Sequence, residues 1–328
     1  MVEKHKTRFF EMINYSIIIP HKNTPNLLQY CLDSIPIRDD VQVIVVDDNS
    51  DADKVDFGHF PQWKGENYEC YLTKEGRGAG YARNVALEHA RGKWVLFVDA
   101  DDFLLPSIGE VFDAEKDTDA DVVFYRPKAV MLEDREAPSK RADFIDVLIG
   151  LYMEKGDETP LRCGWEAPVS KLIKSDLIRT HGICFDEIRY ANDVLFMVSS
   201  GVLAKTIVFR DNSFYCITES AHSLASDFMK KPGELRIRTD AFFRAQKVVV
   251  ENGYLLDEKR ALNYLRKLFT DDREAFFVNF NRMLSLGYKK KLLIRDIFKD
   301  NGGMSRLKRS VYVFFVTSWK RQSSFTKP

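Results

Sequence analysis

Three carboxylates crowd the end of one apolar run. In "WVLFVDADDF", residues 94–103, a stretch of large hydrophobic side chains stops in Asp99, Asp101 and Asp102. Like charges this close repel one another, and a cation among them removes the repulsion. Read as the end of a β-strand, the segment sends Asp99 and Asp101 to the same side, with Ala100 between them. Hard oxygens on so short a spacing suit Mg²⁺ or Mn²⁺, held by one or two carboxylates with water and a substrate's phosphates in the remaining positions. The competing reading is that Asp101 or Asp102 caps a following helix.

Two other stretches carry chemistry. "VIVVDDNS" brings Asp47 and Asp48 to the end of a second apolar run, where a carboxylate can accept from the N–H of a uracil ring or from a ribose hydroxyl. Alone, "DDNS" is an ordinary turn. "GRGAGYARN", residues 76–84, sets three glycines before a helix whose first turn offers backbone N–H groups. Arg77 and Arg83 add fixed positive charge for phosphate or base. The spacing is not that of the dinucleotide fingerprint.

These groups need elements to position them. "YSIIIP" is a short β-rich run, and "NLLQYCLDSI" has Leu27, Leu28, Cys31, Leu32 and Ile35 on one helical face. "VQVIVVDDNS", the weaker "YECYLT" and "KWVLFVDADD" read as strands. "GYARNVALEHARG" reads as a helix with Gly92 at its C-cap. "ADVVFYRPKAV" and "TIVFRDNSFYCIT" read as further strands, and from Pro232 to about Leu286 the apolar spacing is helical, broken at "ENG" and at Asp271 and Asp272. Alternating strands and helices with near-continuous apolar strands predict an α/β fold with a mostly parallel central sheet flanked by helices. In such sheets ligands bind beyond the carboxyl ends of the strands, where Pro20–Asn23, Asp47–Ser50 and Asp99–Asp102 would meet. The expected division is residues 1–225 as a catalytic domain and 226–328 as a helical, basic C-terminal region.

The bulk numbers fit a globular protein, with 328 residues, 45% hydrophobic and 30% charged. The formal net charge of zero conceals an asymmetry: residues 287–328 hold 11 Lys or Arg against 2 Asp or Glu. An anionic partner suits that tail, and with its aromatic residues an anionic membrane surface is one expectation, an amphipathic helix packed on the body the other. Nucleic acid is not expected, because the rest of the chain is acidic and no recognition motif accompanies the basic residues. Five scattered cysteines without C-x-x-C spacing indicate neither a disulfide framework nor a zinc site, so a reduced cytosol is expected. Neither a secretion signal nor a spanning segment is read, as the apolar run Val311–Val316 is far too short.

"SIIIPHKN", "VIVVDDNSD", "GAGYARNVALEHARGKWVLFVDADD" and "NDVLF" occur in the order and at about the spacing of the motifs of family-two inverting glycosyltransferases. The chain resembles that family from about Tyr15 to Gly201, and sparsely to Ser223. The resemblance implies a GT-A fold, a nucleotide-sugar donor that is usually a UDP-sugar, a bound Mn²⁺ or Mg²⁺, and transfer with inversion to a saccharide or lipid-linked saccharide at the inner membrane face. Pro20, His21 and Asn23 would border the nucleoside, Asp48 would read the uracil, and Arg83 would lie near the base or phosphates. Asp99 would approach the ribose or a metal-bound water, and Asp101 would be the direct metal ligand. Where the family reads P-x-Y-N, with an aromatic on the base, this chain has Lys22.

Many members carry Glu-Asp, with the Asp as general base, where this chain has Asn192 and Asp193. Asp193 would take the acceptor's proton at an ordinary pKa of about 4; the plainer reading is a helix N-cap with Asp193 in the first turn. His222, in "ESAHSLAS", would ligate the metal or donate to phosphate, or else is a solvated loop histidine. Trp165 would be a platform under the sugar or a core residue, and Lys171 a loop brace. The Lys at 22 and the Asn at 192 leave room for a non-catalytic nucleotide-sugar or glycan binder that keeps the fold.

Overall fold

The computed structural model describes residues 12–298 other than 60, 63–64 and 221–232. Contacts divide the chain into two compact units, Met1–Lys230 and Lys231–Pro328.

The first unit is built in the order β1 (Tyr15–His21), α1 (Pro25–Asp33), β2 (Val41–Asp48), β3 (Tyr68–Thr73), α2 (Ala79–His89), β4 (Trp94–Phe97), β5 (Phe103–Leu104), α3 (Ile108–Glu115), β6 (Val122–Tyr125), β7 (Lys128–Met131), α4 (Asp143–Lys155), β8 (Lys171–Lys174), α5 (Ser175–His181), α6 (Val194–Leu203), β9 (Ile207–Arg210) and β10 (Tyr215–Glu219). Seven strands form the main sheet in the order β3-β2-β1-β4-β8-β6-β9. All neighbours are parallel except those of β8, which runs against both β4 and β6. The sheet is thus the mostly parallel one expected. β2 is buried along its whole length, which is why it reads as an unbroken apolar run.

β1 lies between β2 and β4, and from it the chain order departs in both directions, so the carboxyl ends of these three strands open onto one crevice. A small sheet, β5-β10-β7, stands beside it, with β10 antiparallel to β5 and parallel to β7. Two expected strands therefore divide. "ADVVFYRPKAV" breaks at Arg126–Pro127 into β6 and β7, and "TIVFRDNSFYCIT" turns at Asp211–Ser213 so that β9 joins the large sheet and β10 the small one.

The expected C-cap at Gly92 is also corrected. α2 ends at His89 with an extended Ala90, and Gly92 instead lets the chain pass hard against β1. Its N–H donates to Ser16 Oγ at 2.8 Å, and a Cβ at this position would lie 2.5 Å from the Ser16 nitrogen. Gly92→Ala should therefore destabilise the fold by about 1–3 kcal/mol, the usual cost of forcing an extra methyl into packed structure, measurable by urea denaturation.

The second unit contains α7 (Glu234–Glu251), α8 (Glu258–Asp271), α9 (Arg273–Ser285) and α10 (Lys290–Phe298). The breaks fall where the sequence placed them. Asp257 accepts from the N–H of Arg260 at 3.0 Å to start α8, and Asp272 accepts from that of Ala275 at 3.0 Å to start α9. Phe242, Tyr264, Leu268, Phe276 and Met283 fill its core. Residues 299–328, most of the basic tail, lie outside the described residues.

Candidate active site

Because β2 is buried throughout, the acids that close it must find partners. Asp47 Oδ2 accepts from His21 Nδ1 at 2.9 Å and from Ser50 Oγ at 2.5 Å, and Oδ1 accepts from the Ser50 N–H at 2.9 Å. Burial alone would raise the Asp47 pKa, but these bonds hold it below the usual value. His21 Nε2 accepts from the Thr24 N–H at 3.1 Å, which places the ring proton on Nδ1. Asn23, in a left-handed conformation with φ 59°, exchanges two bonds with Asp51, donating at 3.0 Å and accepting from its N–H at 2.7 Å. His21 and Asn23, expected to border the nucleoside, both knit the loop after β1 to the loop after β2. Pro20, half-buried and paired with Val46, ends the strand beneath that loop.

Asp48 is turned the other way, as strand alternation requires. Its Oδ2 accepts from the Gly78 N–H at 2.8 Å, with Lys22 Nζ 3.7 Å away. Its Oδ1 is buried without a hydrogen-bond partner. Such an acceptor fits an incoming N–H donor. Gly78, at φ 96°, spends its amide here, so that N–H of the glycine loop is not available to an anion.

The acidic run is not a continuing strand. β4 ends at Phe97, and after one more bond, Val98 N–H to the Ile18 carbonyl at 3.0 Å, the chain turns, closed by the Asp102 N–H on the Asp99 carbonyl at 3.0 Å. This turn, with Ala100 buried at its apex, brings one oxygen from each of Asp99, Asp101 and Asp102 to within 4.8 Å of one another. Neither Asp101 nor Asp102 caps a helix, since the next, α3, has Ser107 at its N-cap. Asp102 points inward: Oδ2 accepts from Tyr215 Oη at 2.7 Å, and Oδ1 from the Thr218 N–H at 2.7 Å. Tyr215 Oη in turn accepts from the Asp99 N–H at 3.1 Å, and Thr218 Oγ1 donates to the Asp101 carbonyl at 2.8 Å. β10 thereby staples the turn in place.

Burial, reinforced by the charges of Asp99 and Asp101, pushes the Asp102 carboxyl well above its usual pKa. Asp101, reached by solvent yet hemmed in by protein, is pushed up to about 6, first by lost hydration and then by Asp99. Acids that resist ionisation side by side fit a divalent cation. With both Asp102 oxygens engaged, Asp101 and the remaining oxygen of Asp99 are the ones suited to hold it. Among the described residues this is the one such cluster.

Arg83 joins this turn to the loop that precedes α6. Its side chain, about 6% exposed, donates through Nη2 to Asp99 Oδ1 at 2.7 Å and through Nη1 to Asn192 Oδ1 at 3.0 Å. The guanidinium lies over the Phe185 ring, 5.2 Å from its centre. The neighbouring Asp193 stands at the N-cap position of α6 but makes no side-chain cap bond, so its carboxylate is not spent on the helix. Burial pushes its pKa up to about 6 against the opposing pull of Arg83, which corrects the ordinary value expected from sequence.

Residues 16–178 match the model of glycosyl transferase family 2. That stretch is a family 2 glycosyltransferase domain.

The glycosyltransferase domain has curated relatives of similar sequence. The poly(ribitol-phosphate) beta-glucosyltransferase of Bacillus spizizenii is 26% identical over 215 residues, covering 62% of this chain and 32% of the relative. The poly(ribitol-phosphate) beta-N-acetylglucosaminyltransferase TarS of Staphylococcus aureus is 27% identical over 221 residues, 63% of this chain and 36% of the relative. The chain thus spans about a third of the length of these two relatives. The crystal structure of S. aureus TarS 1–349 in complex with UDP-GlcNAc superposes with a TM-score of 0.56 at 20% identity, covering 87% of this chain and 81% of that one. The fold is GT-A.

Other expected residues fall differently in the glycosyltransferase domain. Trp165 is buried against Phe124, with ring centres 5.4 Å apart, and is a core residue rather than an exposed platform. Lys171 braces the loop before β8, its Nζ donating to the carbonyls of Trp165 at 2.6 Å and Ala167 at 2.9 Å; burial holds its pKa well below the usual value. Arg77 pairs with Glu187 and lies over the Tyr81 ring. His222 lies outside the described residues. Tyr215, Thr218 and Phe185 escaped sequence reading, since each sits in an apolar stretch with nothing local to set it apart.

Proposed function

We propose that the glycosyltransferase domain catalyses inverting, metal-dependent transfer of a sugar from a nucleotide sugar, most simply a UDP-sugar, to a hydroxyl of a saccharide or lipid-linked saccharide in surface-polysaccharide or lipopolysaccharide synthesis. The observation that carries this is the single guanidinium of Arg83 bonded both to an acid of the Asp99–Asp102 turn and to the residue beside Asp193. This supports a reading in which a diphosphate-binding edge and the Asp193 carboxylate serve one reaction centre. The UDP-GlcNAc complex of TarS supports the choice of donor class.

Asp48 suits the base through its unpartnered oxygen, and Arg83 adds positive charge where the diphosphate would lie. Asp99 and Asp101 would hold Mn²⁺ or Mg²⁺, which supplies neutralisation of the charge growing on the departing diphosphate. Asp193, ionised, takes the acceptor hydroxyl's proton as that oxygen attacks from the face opposite the leaving group. No helix of the described residues is long and apolar enough to cross a membrane. The basic tail suits peripheral contact with anionic lipid on the cytoplasmic face.

Two measurements bear on this reading. The purified chain given UDP-sugars and Mn²⁺ should release UDP, slowly even to water, whereas failure to bind any nucleotide sugar would overturn it. The rate should also have an acid limb. Asp193 serves as base only when ionised, and its raised pKa moves the limb from about pH 4 to about pH 6. With saturating Mn²⁺ keeping Asp101 ionised, the rate should fall about tenfold per pH unit below that point.

A further inference from the structure

Position 192 is where the chain departs from the acidic pair seen in many family members, and its surroundings show what the position supplies. Asn192 Oδ1 accepts from Arg83 Nη1 at 3.0 Å while Nη2 of the same guanidinium holds Asp99. Arg83 has little room to swing: it rests on Phe185, whose ring is stacked on Phe196 of α6 at 4.0 Å and set edge-on to Phe97 of β4 at 5.0 Å. Asn192 is held from behind as well. Its carbonyl accepts from the Asp186 N–H at 3.0 Å, and its Cβ lies where a Cβ on Gly80 would approach to 3.1 Å, so α2 presses directly on this loop. Ala191, with φ 56°, turns the chain so that Asn192 and Asp193 leave the loop together. Since Asp193 makes no cap bond, the tether that fixes this turn from the crevice side is the Asn192 amide.

We propose that Asn192 is a positioning residue that holds Asp193 at its distance from the diphosphate-binding turn through Arg83, and that what the position requires is a hydrogen-bond acceptor rather than an acid. The inference rests on the glycosyltransferase reading above and deepens it. An amide oxygen and a carboxylate oxygen both accept from a guanidinium, so Asn performs here the task an acidic residue can perform elsewhere. The donor's contacts through Asp48, Asp99 and Asp101 do not pass through Asn192, and Arg83, the donor-side group that does touch it, keeps its bond to Asp99 when the amide is lost. Loss of the tether should therefore reach turnover and spare donor binding.

The test uses the full chain as wild type, Asn192→Ala, Asn192→Leu and Asn192→Asp. UDP-sugar affinity in Mn²⁺ is measured by calorimetry, and kcat for transfer to acceptor is measured alongside the slow release of UDP to water. Asn192→Ala should lose about 10- to 100-fold in transfer kcat, the scale of one hydrogen bond to a charged group, with donor Kd within about threefold of wild type. Asn192→Leu, which fills the space without an acceptor, should repeat that loss and covers the case in which the alanine variant does not fold. Asn192→Asp should recover transfer to within about fivefold of wild type, because the acceptor is restored. Wild-type kcat in the alanine and leucine variants, donor affinity falling in step with kcat, or no rescue by Asp would each overturn the proposal. A wild-type protein that binds no nucleotide sugar would instead remove the glycosyltransferase reading on which it stands.

Discussion

Asp193→Asn should lower sugar transfer about 10²- to 10⁴-fold and leave nucleotide-sugar affinity within about threefold of wild type. The substitution keeps the shape of the side chain and removes its ability to take a proton. Asp193 makes no side-chain cap bond, so the start of α6 does not depend on its charge. The amide also relieves the cost of keeping a carboxylate in a site that pushes its pKa to about 6, so stability should not fall. Transfer rates and donor titrations on the same preparation decide the matter. A protein that only binds nucleotide sugars would show little change in any measured property, and transfer at the wild-type rate would remove Asp193 from the mechanism.

Asp101→Asn should abolish metal-dependent donor binding while making the metal-free protein more resistant to heat. The two effects have one cause. Asp101 is held up to about 6 by lost hydration and by Asp99, so its folded-state pKa lies above the unfolded value of about 4. The sign follows from linkage. A group that holds its proton more tightly when folded favours the fold at low pH, and that contribution is lost as pH rises through roughly 4 to 6, leaving the ionised acid a liability at neutral pH. Removing the charge removes the liability, and with it the reason to bind a cation. In thermal melts at pH 7.5, wild type should gain stability from Mn²⁺ and the variant should start higher and gain nothing. A wild-type melting temperature indifferent to Mn²⁺ and Mg²⁺, with and without UDP-sugar, would show that the acids hold no metal.

The site was legible in the chain because of where it sits. Strands buried on both faces read as unbroken apolar runs, so the polar residues that end them stand out, and strand ends in a parallel sheet share one edge. Asp47, Asp48, Asp99 and Asp101 were visible for that reason, and Arg83 because glycines announced the helix that carries it. The helical breaks at "ENG" and at Asp271 and Asp272 were visible because turn formers and caps are local; the cap at Asp257 was not read.

What remained hidden was the division of labour within each cluster. Two adjacent acids after β2 look alike in sequence, yet Asp47 is consumed by His21 and Ser50 while Asp48 keeps an unpartnered oxygen. Two adjacent acids in the turn look alike, yet Asp102 is taken by Tyr215, 113 residues further on, leaving Asp101 open. Gly92 resembled a helix stop until β1 was seen lying against it. Types, spacing and strand burial are short-range properties that a linear pattern carries. Which carboxylate is neutralised, which is left ionisable and at what pKa depend on desolvation and on partners more than a hundred residues away, and only the folded chain brings those together.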